Sequence, residues 1–182
     1  MATWNLDTTH SGASFSVRHM MVSTVRGSFS SLRGTLEYDP ANPAAASVEV
    51  EIDASSIDTG VADRDNHLRS ADFFDVEKYP HITFKSKKVE LTGDDEARIT
   101  GDLTIRDITR EVVIEAEYLG QTNSPFGDKR VGFSGSTKID REQWGLTWNV
   151  AMEAGGVLVS KEIKISLDVQ AVLVTEGETA TA

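Results

Sequence analysis

Strict alternation of apolar and polar side chains dominates the chain. Ile163, Ile165, Leu167, Val169 and Ala171 are interleaved with Lys164, Ser166, Asp168 and Gln170; a period of two puts the first set on one face of a β-strand and the second on the other. The same pattern runs through Val48, Val50 and Ile52 against Glu49, Glu51 and Asp53, and through Val112, Ile114, Ala116 and Tyr118 against Glu115 and Glu117. Weaker alternation covers 13–19, 27–38, 81–89, 97–106 and 130–140. Turn-forming stretches such as Asp39-Pro-Ala-Asn-Pro43, Thr92-Gly-Asp-Asp95 and Asn123-Ser-Pro-Phe-Gly-Asp128 separate these segments. The pattern predicts about eight strands, each with one wet face.

Short turns between consecutive strands predict antiparallel neighbours, because a parallel pair needs a crossover of roughly a dozen residues or more. One connection, 57–80, is that long: from Val61 to Phe74 the period of two disappears, which predicts a short helix or two followed by an aromatic loop. A further helical turn is expected at Arg141–Trp144, and a hairpin turn at Gly155-Gly156. One-faced antiparallel strands must hide both sheet edges. Closure into an up-and-down barrel does so most simply, with a two-sheet sandwich as the competing solution. The expected class is therefore all-β, an eight-stranded antiparallel barrel with a short helical insertion, a size able to hold one small ligand. One domain is expected over 1–174, and 175–182, without apolar periodicity, reads as a frayed tail.

Composition narrows the function. The 182 residues are 39% hydrophobic, as suits a globular chain, and carry a net charge of −11, which argues against a phosphate backbone as partner. Residues 1–36 differ, with Arg18, Arg26 and Arg33 against Asp7 alone. No cysteine is present, so disulfide scaffolds, thiol redox chemistry and Cys-ligated metals are excluded. The first ten residues carry no basic flank or apolar run of the kind an export signal needs, so a cytoplasmic location is expected. No apolar run approaches the roughly 18 residues of a membrane span.

Motifs for catalysis are sparse. Asp63, Asp65 and His67 offer metal donors, but on a helix Asp63 and His67 share a face while Asp65 points away, so helix capping and surface ion pairs with Arg64 and Arg69 are the plainer reading and no metal site is expected. His10 and His19 do not complete one. Gly-x-Ser-x-Gly, Gly-x-Gly-x-x-Gly and the P-loop pattern are all absent. Glu49, Glu51 and Asp53 read as a solvated strand face rather than a carboxylate pair for glycoside chemistry. What stands out is apolar material beyond the strand cores: Phe15, Met20, Met21, Val22, Val25 and Phe29, then Leu68, Phe73 and Phe74. Such residues either line a greasy cavity or plug the barrel ends.

Trp4-Asn-Leu-Asp7 with His10-Ser11, Phe15-Ser-Val-Arg-His-Met20 and Val25-Arg-Gly-Ser-Phe29 open a series of short motifs. Ser56-Ile-Asp-Thr-Gly60, Arg64-Asp-Asn-His-Leu-Arg-Ser70, Asp72-Phe-Phe-Asp75, Lys78-Tyr-Pro-His-Ile-Thr-Phe84, Gly101-Asp-Leu-Thr-Ile-Arg106, Ile139-Asp-Arg141 and Trp144-Gly-Leu146 follow in order. Together, over about 4–172, they resemble the YceI-like polyisoprenoid-binding family, departing from it at Asp107 and Glu111, where that family typically has Gly and Pro. The resemblance implies a lipocalin-like barrel that binds an isoprenoid lipid or isoprenoid quinone without catalysis, needs no cofactor, and forms a homodimer. With that implication, alternation nominates Phe15, Val17, Met21, Ile82, Phe84, Leu103, Ile105 and Phe133 as tail-binding residues, and His19, Arg64 or His67 as neighbours of the polar head. An enzyme acting on the same lipids and an interaction module with a solid core are the rival readings.

Overall fold

A computed structural model describes residues 1–152 and 155–175. Most of the tail expected at 175–182 lies outside the described residues. The alternating segments form β1 (Ala2–Leu6), β2 (Gly12–His19), β3 (Ser23–Phe29), β4 (Leu32–Tyr38), β5 (Ser47–Asp53), β6 (Ile57–Asp58), β7 (His81–Leu91), β8 (Glu96–Ile105), β9 (Ile108–Asn123), β10 (Lys129–Asp140) and β11 (Val159–Leu173). The long insertion holds a single helix, α1 (Ala62–Arg69), and Arg141–Trp144 forms a 3-10 turn.

These strands occupy eight positions around a closed antiparallel barrel. Both β1 and β2 pair with β11, Trp4 opposite Leu173 and Ala13 opposite Leu167, so together they fill one position. In the next position β4 pairs with β1 and β3 with β2; β5 and β6 likewise continue one another against β4 and β3. From β7 to β11 each strand is unbroken and pairs with its sequence neighbours, and β5 pairs with β7 to complete the ring. Closure hides most of the sheet edge, leaving β6 and the first residues of β3 paired on one side only.

Two strand boundaries differ from the sequence expectation for one reason. The stretch 27–38 is two strands, and the inward residues change from odd positions (Val25, Phe29) to even ones (Leu32, Leu36, Tyr38) across Ser30-Ser31. The break is held by Ser31, whose hydroxyl donates to Asp53 at 2.6 Å and whose amide donates to the Ser56 hydroxyl at 3.2 Å. β1, absent from the expected set, turns only Trp4 and Leu6 inward, too few positions for a period to register. Gly155 and Gly156 both adopt positive φ, as a tight turn requires, beside the Ala151–Val157 bridge. In the two-residue turn between β8 and β9, Arg106 takes up a φ of 58°. Its guanidinium is anchored on the Gly145 carbonyl at 3.2 Å and over the Tyr79 ring.

The barrel has two unlike ends. At one, β6, α1, the β8–β9 turn and residues 141–152 and 155–158 come together over a continuous apolar core of Phe29, Ala54, Ile57, Phe73, Ile82, Ile105, Val112, Ile139, Trp144 and Leu146. Trp144, 1% exposed, donates its indole N–H to the Leu103 carbonyl at 2.9 Å. Arg141 is also buried and spends its guanidinium on four backbone carbonyls, those of Leu146, Trp148, Val159 and Ser160. Burial lowers the Arg141 pKa, opposed by the nearby charges of Glu142 and Asp140. At the other end the core is thinner, built around Trp4, Leu36, Tyr38, Val131 and Ala171.

Candidate functional site

The second end is hollow. A cavity of about 350 Å³ lies inside it, walled by inward side chains of every barrel position: Leu6, Leu36, Val50, Phe84, Ile99, Ile114, Ala116, Phe133, Leu167 and Val169 among them. That volume is at the lower end of the roughly 300–1,000 Å³ of small-molecule pockets. Residues of the β4–β5 loop (Pro40, Pro43, Ala46) and of the β7–β8 turn (Asp94, Asp95) frame its mouth. The packed core around Phe29, Ile82 and Ile105 closes the far end, so the cavity is blind.

Small residues make the space. Ala97, Ala116 and Gly135 lie opposite one another across β8, β9 and β10 and together line the cavity. Near the floor, Gly101 has no side chain because a Cβ there would fall 2.5 Å from the Phe84 ring and 2.6 Å from the Lys85 carbonyl. The Phe84 ring therefore packs against Gly101 of β8, and Phe84 also lines the cavity. Tyr38, Tyr118 and Phe133 form an aromatic wall, with Tyr38–Phe133 centroids 5.4 Å apart and Tyr118–Phe133 centroids 5.6 Å apart. Among the lining residues the two tyrosines join Ser47, Ser134 and the carboxylates of the mouth as polar groups. The Tyr38 hydroxyl has a raised pKa, chiefly from burial and further from Tyr118, Asp39 and Asp95.

The structure divides the nominated residues between the two ends. Phe84 and Phe133 line the cavity. Phe15, Ile82, Leu103 and Ile105 pack in the solid core beyond its floor. Val17 sits higher still, opposite Ile163 and Val25. Met21 is 53% exposed in the β2–β3 turn, its side chain lying over Gly156. His19, Arg64 and His67 stand at the closed end, across the barrel from the mouth.

There the charged insertion fastens a plug. Arg64 donates to the hydroxyl and carbonyl of Thr59, both at 2.7 Å, and Arg69 to the carbonyls of Ser55 and Ile57, both at 2.9 Å. Asp65 is buried and accepts from the amide and hydroxyl of Thr59; burial works to raise its pKa, but these hydrogen bonds and the two arginines hold it below the usual range. His67 pairs with Asp72 at 2.8 Å and stacks edge-on against Phe73 and Trp148. Asp63, Asp65 and His67 therefore do not converge on a metal. Among the described residues, the trio that does converge is Glu51, Asp53 and His81, on the outer face of β5 and β7. Arg33 reaches both of those carboxylates, so their charge is already met by a guanidinium. Sequence reading missed this group because its members meet only through the β4–β5–β7 register.

The chain matches the family model described as the YceI-like domain over residues 4–171, and it belongs to that family. It is 40% identical over 163 residues to protein YceI of Escherichia coli, covering 90% of this chain and 82% of that protein. Its fold superposes on Burkholderia cenocepacia BcnA with a TM-score of 0.78 at 23% identity, covering 91% of this chain and 98% of the other. A polyisoprenoid binding domain from Saccharophagus degradans, implicated in plant cell wall breakdown, shares the fold at a TM-score of 0.69 and 14% identity, over 96% and 100% of the two chains. No helix among the described residues is long and apolar enough to cross a membrane.

Proposed function

We propose that this protein reversibly binds the prenyl tail of an isoprenoid lipid, a polyprenol or an isoprenoid quinone, and acts as a carrier or store rather than as an enzyme. The observation that carries this reading is the blind apolar cavity in a YceI-family barrel. The tail enters from the mouth and meets Leu36, Val50, Phe84, Ile99, Ala116, Phe133 and Val169, which offer branched and aromatic surface to a branched hydrocarbon. Each isoprene unit adds five apolar carbons, worth roughly 4 kcal/mol at about 0.8 kcal/mol per buried CH₂. A few units therefore reach micromolar affinity after the ordering costs of binding are met. The polar head stays at the open end, where the hydroxyls of Tyr38 and Tyr118 offer hydrogen bonds to a neutral oxygen. The polyisoprenoid-binding domain of Saccharophagus degradans, similar in fold, supports the ligand class.

Native mass spectrometry of protein purified without detergent, followed by organic extraction, tests the proposal. A one-to-one adduct whose extracted mass shows five-carbon repeats is the expected result. An empty protein that also refuses added farnesol and geranylgeraniol would overturn it. Time-dependent conversion of a bound prenyl compound would replace the carrier with an enzyme.

A further inference from the structure

The lining of the cavity is charged at one place only, its mouth, and with one sign only. Among the described residues, Asp94, Asp95, Glu96 and Glu117 belong to the lining and no lysine, arginine or histidine does. Asp39, at the head of the β4–β5 loop, adds a further carboxylate beside Pro40. A shallow groove of about 480 Å³ on the outer wall next to the mouth continues the pattern with Glu96, Glu115, Glu117 and Asp168, of which Glu115 is paired with Arg98. The cations near this end of the barrel, among them Lys88, Arg98, Lys129 and Arg130, lie outside the lining, with Lys88 paired to Glu90 and Arg98 to Glu115. Arg130 is committed to Asp7 and Asp128, and these partners hold its charge in place.

Field from these carboxylates reaches the cavity wall. Burial, Tyr118, Asp39 and Asp95 together discourage ionisation of the Tyr38 hydroxyl. A low-dielectric cavity behind a rim of one sign focuses that field on whatever head group sits in the opening.

We infer that the mouth selects ligands by head-group charge: it takes prenyl amphiphiles with a neutral or cationic head, an alcohol, quinone or amine, and rejects those with a phosphate or diphosphate head. This inference rests on the carrier reading above and adds a substrate class to it. A prenyl diphosphate would bring its negative charges against four carboxylates with no cation to receive them. An ammonium group would instead replace solvent counter-ions at the rim. Because the carboxylates are exposed, the selection is screened by salt, with a Debye length of about 10 Å at 0.1 M.

Three probes of equal tail length separate the possibilities: farnesylamine, farnesol and farnesyl diphosphate, titrated against delipidated protein by calorimetry at low and high salt. At low salt the amine is expected to bind at least threefold tighter than the alcohol, and the diphosphate at least tenfold weaker. At 0.5 M salt the three affinities converge. In the variant carrying Asp94→Asn, Asp95→Asn and Glu96→Gln, the spread between amine and diphosphate collapses. Equal binding of all three probes to the wild type, or tighter binding of the diphosphate, would overturn charge selection and leave the carrier reading standing. Failure of all three to bind would overturn both.

Discussion

The two ends of this barrel are made from the same strands yet differ in what fills them. Toward α1, every inward position is met by an aromatic or branched partner, so that Ile57, Phe73, Ile105, Ile139 and Trp144 form one continuous core. Toward the β7–β8 turn, the same strands present Ala97, Ala116 and Gly135 together, and a cavity of about 350 Å³ remains between walls that include Leu36, Ile99 and Val169. The difference teaches where stability resides and where the proposed ligand would sit. A packed end supplies the dispersion and burial that hold the fold, and an end left unpacked leaves apolar side chains facing a void. The charged motif 64–70 belongs to the first end, where it pins the plug, although its polarity resembles that of a binding site.

The largest test of this division is truncation. Trp144→Ala at the packed end should cost about 3–5 kcal/mol, as buried aromatic deletions do. Ile99→Ala in the cavity wall should cost about 1 kcal/mol, because its contacts are already incomplete. Urea midpoints of the two variants would measure the contrast, and equal losses would break it. Next comes Arg141→Lys, which keeps the charge but cannot reach four carbonyls with a planar fork. It should lose about 1–3 kcal/mol through carbonyls left without donors, and it should leave farnesol affinity unchanged.

Filling works in the opposite sense at the two ends. Ala54→Leu, at a site 1% exposed in the packed core, should destabilise by about 1–3 kcal/mol through overpacking. Ala116→Phe has empty space to enter, so its stability should stay within about 1 kcal/mol of wild type while farnesol binding weakens at least tenfold. Chemical unfolding and ligand titration on the same two variants check both halves of this prediction.

The smallest effect concerns how the hollow end is braced. Lacking a dense core, it is tied on the outside by Arg130, which bridges Asp7 and Asp128, with His10 also on Asp7 at 2.8 Å. Burial works to raise the Asp7 pKa, but hydrogen bonds from Thr9, His10 and Arg130 outweigh it and hold the carboxyl far below the ordinary aspartate value. A depressed folded pKa gives stability that is present above the unfolded value near 3.9 and is lost as pH falls below it toward the folded value. Asp7→Asn should therefore flatten the acid limb of stability below about pH 4, as read from urea midpoints over a pH series. An unchanged acid limb would remove this brace from the account.

Much of the architecture was legible in the alternation. Long regular strands such as β10 and β11 show it over many positions, and the insertion shows its loss. The double strand β3–β4 was read as one because a change of inward parity at Ser30-Ser31 is invisible without the hydrogen bonds that Ser31 makes. The site was legible only in part. Alternation tells which side chains point inward, so Phe84 and Phe133 were found along with Phe15, Ile82, Leu103 and Ile105, but it does not tell how far along the barrel each one lies. Whether an inward residue meets a partner or a void depends on register across strands: Ala116 opposite Gly135 makes space, while Phe29 against Phe74 fills it. Motif density also drew attention to the insertion, where polar residues had structural work that spacing could not disclose.

The central claim is that the hollow end, and not the packed one, receives the ligand. Isoleucine δ1-methyl labelling followed by NMR titration with farnesol tests it directly, because both ends carry isoleucines. Ile99 and Ile114 should shift in a saturable manner as the tail fills the cavity, while Ile57, Ile105 and Ile139 stay in place. Saturable shifts confined to Ile57, Ile105 and Ile139, with Ile99 and Ile114 unmoved, would contradict the account.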